Sequence, residues 1–154
     1  MLSASLSALS PGAAAVFPPA YALLAAVHSL MPFLARVLTG TPWTATITSG
    51  IAGVLIWPFS AVGPLVLIVL VVGSSVFDLV LRRRGVPSRG RLAAAAACAA
   101  AALFVVSLPV FSSAHLTPFI LTATLAARVL GEGAAAGAAV ALSAGLRRVG
   151  VRSR

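Results

Sequence analysis

Residues 118–146 read PFILTATLAARVLGEGAAAGAAVALSAGL. This run is about 29 residues long, and Arg128 and Glu132 are its only charges. It can be threaded in two ways. Gly131-Glu132-Gly133 could form a turn between two helices, each with only about 14 residues, which is short for a membrane crossing. Alternatively, the whole run is one tilted helix. The choice decides whether an arginine and a glutamate lie at bilayer depth. An ionisable group there costs at least ~2.5–3.5 kcal/mol, which makes it a candidate functional residue.

The rest of the chain arbitrates. Of its 154 residues, 60% are apolar and 8% are charged, which excludes an ordinary soluble domain. Taking ~20 apolar residues per crossing, spans are expected at roughly 15–35, 43–59, 61–81, 92–111 and 117–146. A poorly defined N-terminus (1–14) precedes them and a basic tail (147–154) follows. The stretch Arg82 to Arg91 is the clearest break, with five arginines plus Gly85, Pro87 and Gly90. If the last run is one helix, Arg36, Arg82, Arg83, Arg84, Arg89, Arg91, Arg147, Arg148, Arg152 and Arg154 all fall on one side. If it is split, the arginines after Leu146 move across. The positive-inside rule favours the single helix.

The expected fold is therefore an all-α, polytopic transmembrane bundle forming a single domain over 1–154, with five spans on this threading and six on the other. Its N-terminus is outside and its C-terminus cytoplasmic. The net charge of +9 is then a topology signal, not a nucleic-acid footprint. No Lys or Arg precedes the first apolar segment, which argues against a secretory signal peptide. The one cysteine, Cys98, cannot form an intramolecular disulfide.

Arg128 and Glu132 stand at i,i+4, so they share a face and can neutralise one another. They form either a structural pair or the polar floor of a substrate cavity. In the second case Arg128 meets an anionic or carbonyl group, and Glu132 a cation or amino group. His28 lies near the middle of the first span. Tyr21, Trp57 and His115 fall near the outer face, as interface anchors or as parts of a pocket for a small ring-containing ligand. Gly133, Gly137, Ala141 and Gly145 recur every four residues, a spacing that suits close helix packing within the bundle. Ala22 and Ala26 are a shorter instance. Asp78, four residues before Arg82, is expected to form an end-of-helix ion pair with it. The sequence carries no Walker-type loop, no metal-ligand spacing and only two carboxylates. No catalytic residue, metal or cofactor is expected, and ATP hydrolysis would reside on other subunits.

Arg36, Pro42-Trp43-Thr44-Ala45, Gly63-Pro64 and Gly73-…-Phe77-Asp78-Leu79, followed by Arg128, Gly133 and Val149-Gly150-Val151, form a series of short motifs. Over roughly residues 19–151 this series resembles the S components of energy-coupling-factor (ECF) vitamin transporters. The resemblance is closest to the YkoE-type hydroxymethylpyrimidine/thiamine branch. It implies a bacterial plasma-membrane protein that captures a small water-soluble vitamin from outside. Such a protein docks on a T component carrying two ABC ATPase subunits. Membrane lipids would also be partners, at the cytoplasmic arginines. The chain departs from the family in two ways. Five helices are legible where the family has six, and Glu132 stands where the family carries a serine-like residue.

Overall fold

The computed structural model describes residues 17–60, 63–82, 87–111 and 117–150. These residues are helical apart from short connections. Five helical elements follow one another: α1 (Pro18–Thr39), α2 (Thr44–Phe59), α3 (Leu65–Val80), α4 (Arg89–Ser107) and α5 (Pro118–Arg148). Of these, α1, α4 and α5 are long and apolar enough to cross a membrane, whereas α2 and α3 are shorter apolar helices.

The last run is one uninterrupted helix of 31 residues, with no turn at Gly131-Glu132-Gly133. At 1.5 Å per residue it is roughly 46 Å long. It starts with Pro118 in the first turn and a Thr117 hydroxyl that accepts from the Ile120 N–H at 3.4 Å. α1 is less regular. Residues Ala26–Ser29 tighten into a 3₁₀ turn. Pro32 lacks the N–H that would bond the His28 carbonyl, and its ring crowds that carbonyl. α1 also runs beyond the expected end at residue 35. Arg36 has a buried partner, so its charge does not end the helix, and Gly40 stops it in a left-handed conformation (φ 64°) with its N–H on the Arg36 carbonyl.

The five helices form a closed ring. Each packs on its sequence neighbours, and α5 packs on α1. Consecutive helices reverse direction, so an odd number makes α1 and α5 parallel. Their contacts confirm this: Tyr21 meets Arg128, Ala26 meets Gly131, and Arg147 donates to the Val37 carbonyl at 3.3 Å. The ends of α1, α3 and α5 and the start of α4 therefore share one end of the ring, which carries the described arginines Arg36, Arg82, Arg89, Arg91, Arg147 and Arg148.

The bundle is inside-out by the standards of a soluble protein. Leu23, Met31, Ile47, Leu55, Ile68, Val105 and Leu130 face outward, while Arg36, Asp78, Arg128 and Glu132 are buried. Only an apolar surrounding makes that distribution favourable. Toward the basic end, Phe33 stacks on Phe77 with ring centroids 3.7 Å apart, amid a core of Ala45, Leu81, Ala95, Ala99, Ala135 and Ala139.

Beside that core lies the ion pair of the described residues, and it differs from the expected one. Asp78 pairs with Arg36 Nε at 3.0 Å, not with Arg82, and both side chains are about 1% exposed. The other carboxylate oxygen of Asp78 accepts from the Thr46 N–H and hydroxyl, each at 2.9 Å. Arg36 also donates to the Leu81 carbonyl. Asp78 thus caps the positive start of α2, and Arg36 caps the negative end of α3. Three helices are tied at one point.

The small-residue stripe also needs correction. Gly133, Gly137, Ala141 and Gly145 face outward, and a Cβ built on any of the three glycines meets nothing within 4 Å. The helix rotates to bury Arg128 and Glu132. The inward face is therefore Ala127, Gly131, Ala135 and Ala139, and Gly133, two residues or about 200° from Gly131, turns away. Ala22 and Ala26 do pack inside: a Cβ on Gly131 would stand 2.8 Å from that of Ala26.

Two outcomes follow for thermal unfolding in detergent. Gly131→Leu overpacks the α1–α5 contact and costs about 1–3 kcal/mol or more, while Gly137→Leu leaves stability within about 0.5 kcal/mol. Asp78→Ala strands a buried guanidinium and costs roughly 3–5 kcal/mol; a loss below 1 kcal/mol would show that the clamp does not hold the bundle.

Candidate functional site

Away from the basic end, the interior of the ring is not filled. A cavity opens among the first half of α1, the first half of α3, the end of α4 and the first half of α5, with about 730 Å³ of empty space counting its open mouth. Its walls are mostly Leu and Val, and its polar groups are few: Tyr21, His28 and Ser29 from α1, Ser60 after α2, Ser74 from α3, and Arg128 from α5. Pockets for small molecules have this composition, an apolar body with a few polar groups that fix orientation.

Local structure explains how each group arrives. The 3₁₀ turn in α1 swings His28 and Ser29 to the lining, and the His28 ring lies 3.3 Å from the Ala25 carbonyl. Ser74 hydrogen-bonds the Ser49 hydroxyl, joining α3 to α2 beneath the cavity. Gly73 lets Leu103 of α4 come within 3.0 Å of where its Cβ would be. Arg128 is 2% exposed, and its guanidinium sits over the Tyr21 ring, 5.6 Å from the centroid. A desolvated cation–π contact of this kind contributes about 2 kcal/mol.

The residues singled out from sequence divide into three groups. Tyr21, His28 and Arg128 converge on the cavity. Glu132 does not line it: the side chain is 0% exposed, one turn deeper, and neither carboxylate oxygen has a hydrogen-bond partner. Ser29 and Arg128 act on it electrostatically, but Arg128 forms no ion pair with it. The i,i+4 spacing brings the two to one face without joining them, because the guanidinium is turned toward Tyr21 and the cavity. Trp57 is 46% exposed in the short 3₁₀ turn that ends α2, and it lies outside the cavity lining. His115 lies outside the described residues.

Ser29, Ser60 and Ser74 were not singled out in advance. Single serines in apolar helices carry no periodic signal, and only the packing shows which of them face inward. A second hollow, at the basic end, has Val37, Leu92 and Val140 for walls and Arg89 and Arg147 at its rim. Among the described residues, no cluster of His, Cys, Asp and Glu could hold a metal ion. No family model matches the chain, and no curated protein and no solved structure matches it.

Proposed function

We propose that this chain is a multi-pass membrane protein that captures a small solute, working as the substrate-binding subunit of an ECF-type importer. The observation that carries the reading is the cavity itself: one apolar hollow with six polar side chains, in the half of the bundle away from the basic end. By the positive-inside rule the basic end is cytoplasmic, so the cavity lies in the outer half and the C-terminus faces in. The motifs that resemble ECF S components supply the rest. The ligand is a small water-soluble vitamin or precursor, and thiamine and its pyrimidine moiety are the first to test. A T component and two ATPases would energise release. In a bacterial plasma membrane the basic end, with its hollow between Arg89 and Arg147, would meet anionic lipid headgroups.

One structural detail bears on docking. Ala22 and Ala26, the small residues of α1, are occupied by α5. Small residues that face outward include Gly133, Gly137, Ala141 and Gly145 on α5 and Ala93, Ala97 and Ala101 on neighbouring α4. That face also supports a second reading, a non-transporting assembly subunit of a larger membrane complex. The readings separate on ligand binding.

Calorimetry of the purified protein against a panel of small vitamins is expected to find a ligand with sub-micromolar affinity. Silence from the whole panel with well-folded protein would remove the capture reading and leave the assembly subunit. With a ligand in hand, Arg128→Ala should weaken binding roughly tenfold to a hundredfold, the loss of one charge-assisted hydrogen bond. Trp57→Ala, outside the cavity, should leave affinity unchanged.

A further inference from the structure

Resting only on the membrane-spanning reading above, we propose that the hollow at the basic end is a discrete site for one anionic phospholipid. The phosphate lies between Arg89 and Arg147, and the start of an acyl chain lies on the apolar wall beneath them.

The hollow has two parts. Arg89 opens α4 and Arg147 lies in the last turn of α5, and both stand at its rim. Beneath them Val37, Leu92, Val140 and Ala144 form an apolar wall drawn from three helices, around about 560 Å³ of empty space counting the open mouth. Measured along each helix, Leu92 is about 5 Å from Arg89, and Val140 about 10 Å from Arg147. The headgroup layer of a bilayer is itself only about 5–8 Å thick on each side of the hydrocarbon. Charge therefore gives way to apolar wall over the same depth at which a phospholipid changes from phosphate to acyl chain.

Charge complementarity selects the headgroup. The chain has two acidic side chains. Asp78 is held by Arg36 and Thr46, and Glu132 is buried on α5, about four turns below Arg147. Neither neutralises Arg89 or Arg147. Arg147 uses one N–H on the Val37 carbonyl at 3.3 Å, which fixes the guanidinium at the α1–α5 seam and leaves most of its fork for a ligand. Arg89 has no hydrogen-bond or ion-pair partner among the described residues. Two guanidinium groups at one rim repel each other. A phosphate between them removes the repulsion and accepts from both. No acidic side chain lines the hollow to receive the ammonium of a zwitterionic headgroup. A lipid of net negative charge is therefore favoured. Free phosphate would satisfy the arginines but leave the apolar wall empty, whereas an acyl chain fills it.

The test is native mass spectrometry of the delipidated full-length chain in detergent, titrated with phosphatidylglycerol. Phosphatidylethanolamine with the same acyl chains is the zwitterion, and glycerol phosphate is the soluble headgroup. One phosphatidylglycerol is expected per chain, held at least about tenfold more tightly than phosphatidylethanolamine. Arg89→Gln combined with Arg147→Gln should weaken it about tenfold or more. Ala144 is exposed, so Ala144→Trp fills the hollow without changing charge or core packing, and should weaken binding likewise. Arg82→Gln combined with Arg148→Gln removes the same charge outside the hollow, and should cost less than about threefold. Equal affinity for the two phospholipids overturns the headgroup assignment. Equal losses in the two arginine pairs mean diffuse surface attraction, which overturns the site and leaves the membrane reading standing. Unchanged binding in Ala144→Trp overturns the seating of the acyl chain. Displacement of the lipid by an equimolar amount of glycerol phosphate overturns the lipid in favour of a soluble phosphate compound. None of these residues lines the solute cavity, so the vitamin panel reads capture separately, and either result can fail without the other.

Discussion

Four ionisable side chains inside an apolar bundle constrain everything else. Arg36, Asp78, Arg128 and Glu132 are all almost fully buried. None can face hydrocarbon, so each fixes the rotation of its helix. Arg128 and Glu132 set which face of α5 looks inward. Asp78 and Arg36 do the same for α3 and α1. Once these rotations are set, the apolar side chains have little freedom left. The large ones turn outward, and alanine and glycine fill the narrow interior.

The two ends of the bundle use their charges in opposite ways. At the basic end Arg36 and Asp78 pair with each other and cap two helix termini, so three helices are tied there. In the cavity half Arg128 and Glu132 share a face but do not pair. The cavity lies beside that arginine. A membrane protein with so few charges keeps one pair for structure and leaves the other open.

Much of this was legible in the sequence, and the reason differs from element to element. The continuity of α5 followed from arginine placement, because moving guanidinium groups across a membrane is costly and the threading had to avoid it. Tyr21, His28 and Arg128 were found because an aromatic or polar residue in an apolar run is conspicuous. The partner of Asp78 was missed because sequence spacing favours a neighbour four residues away, while Arg36 comes from another helix 42 residues earlier. The glycine stripe on α5 was misread for a related reason: spacing identifies a face but not its direction. Direction came from the residues next to it, since burying Glu132 turns Gly133 out. The serines of the cavity were invisible to any period.

The parallel pairing of α1 and α5 has a mechanical side. Arg128 and Arg147 belong to one unbroken helix, about 28 Å apart along its axis. The first touches the cavity, and the second grips the end of α1. No loop or hinge separates them. A tilt of α5 at one end is therefore delivered to the other end as motion of a rigid rod, levered against the point where the arginine–aspartate clamp ties α1, α2 and α3.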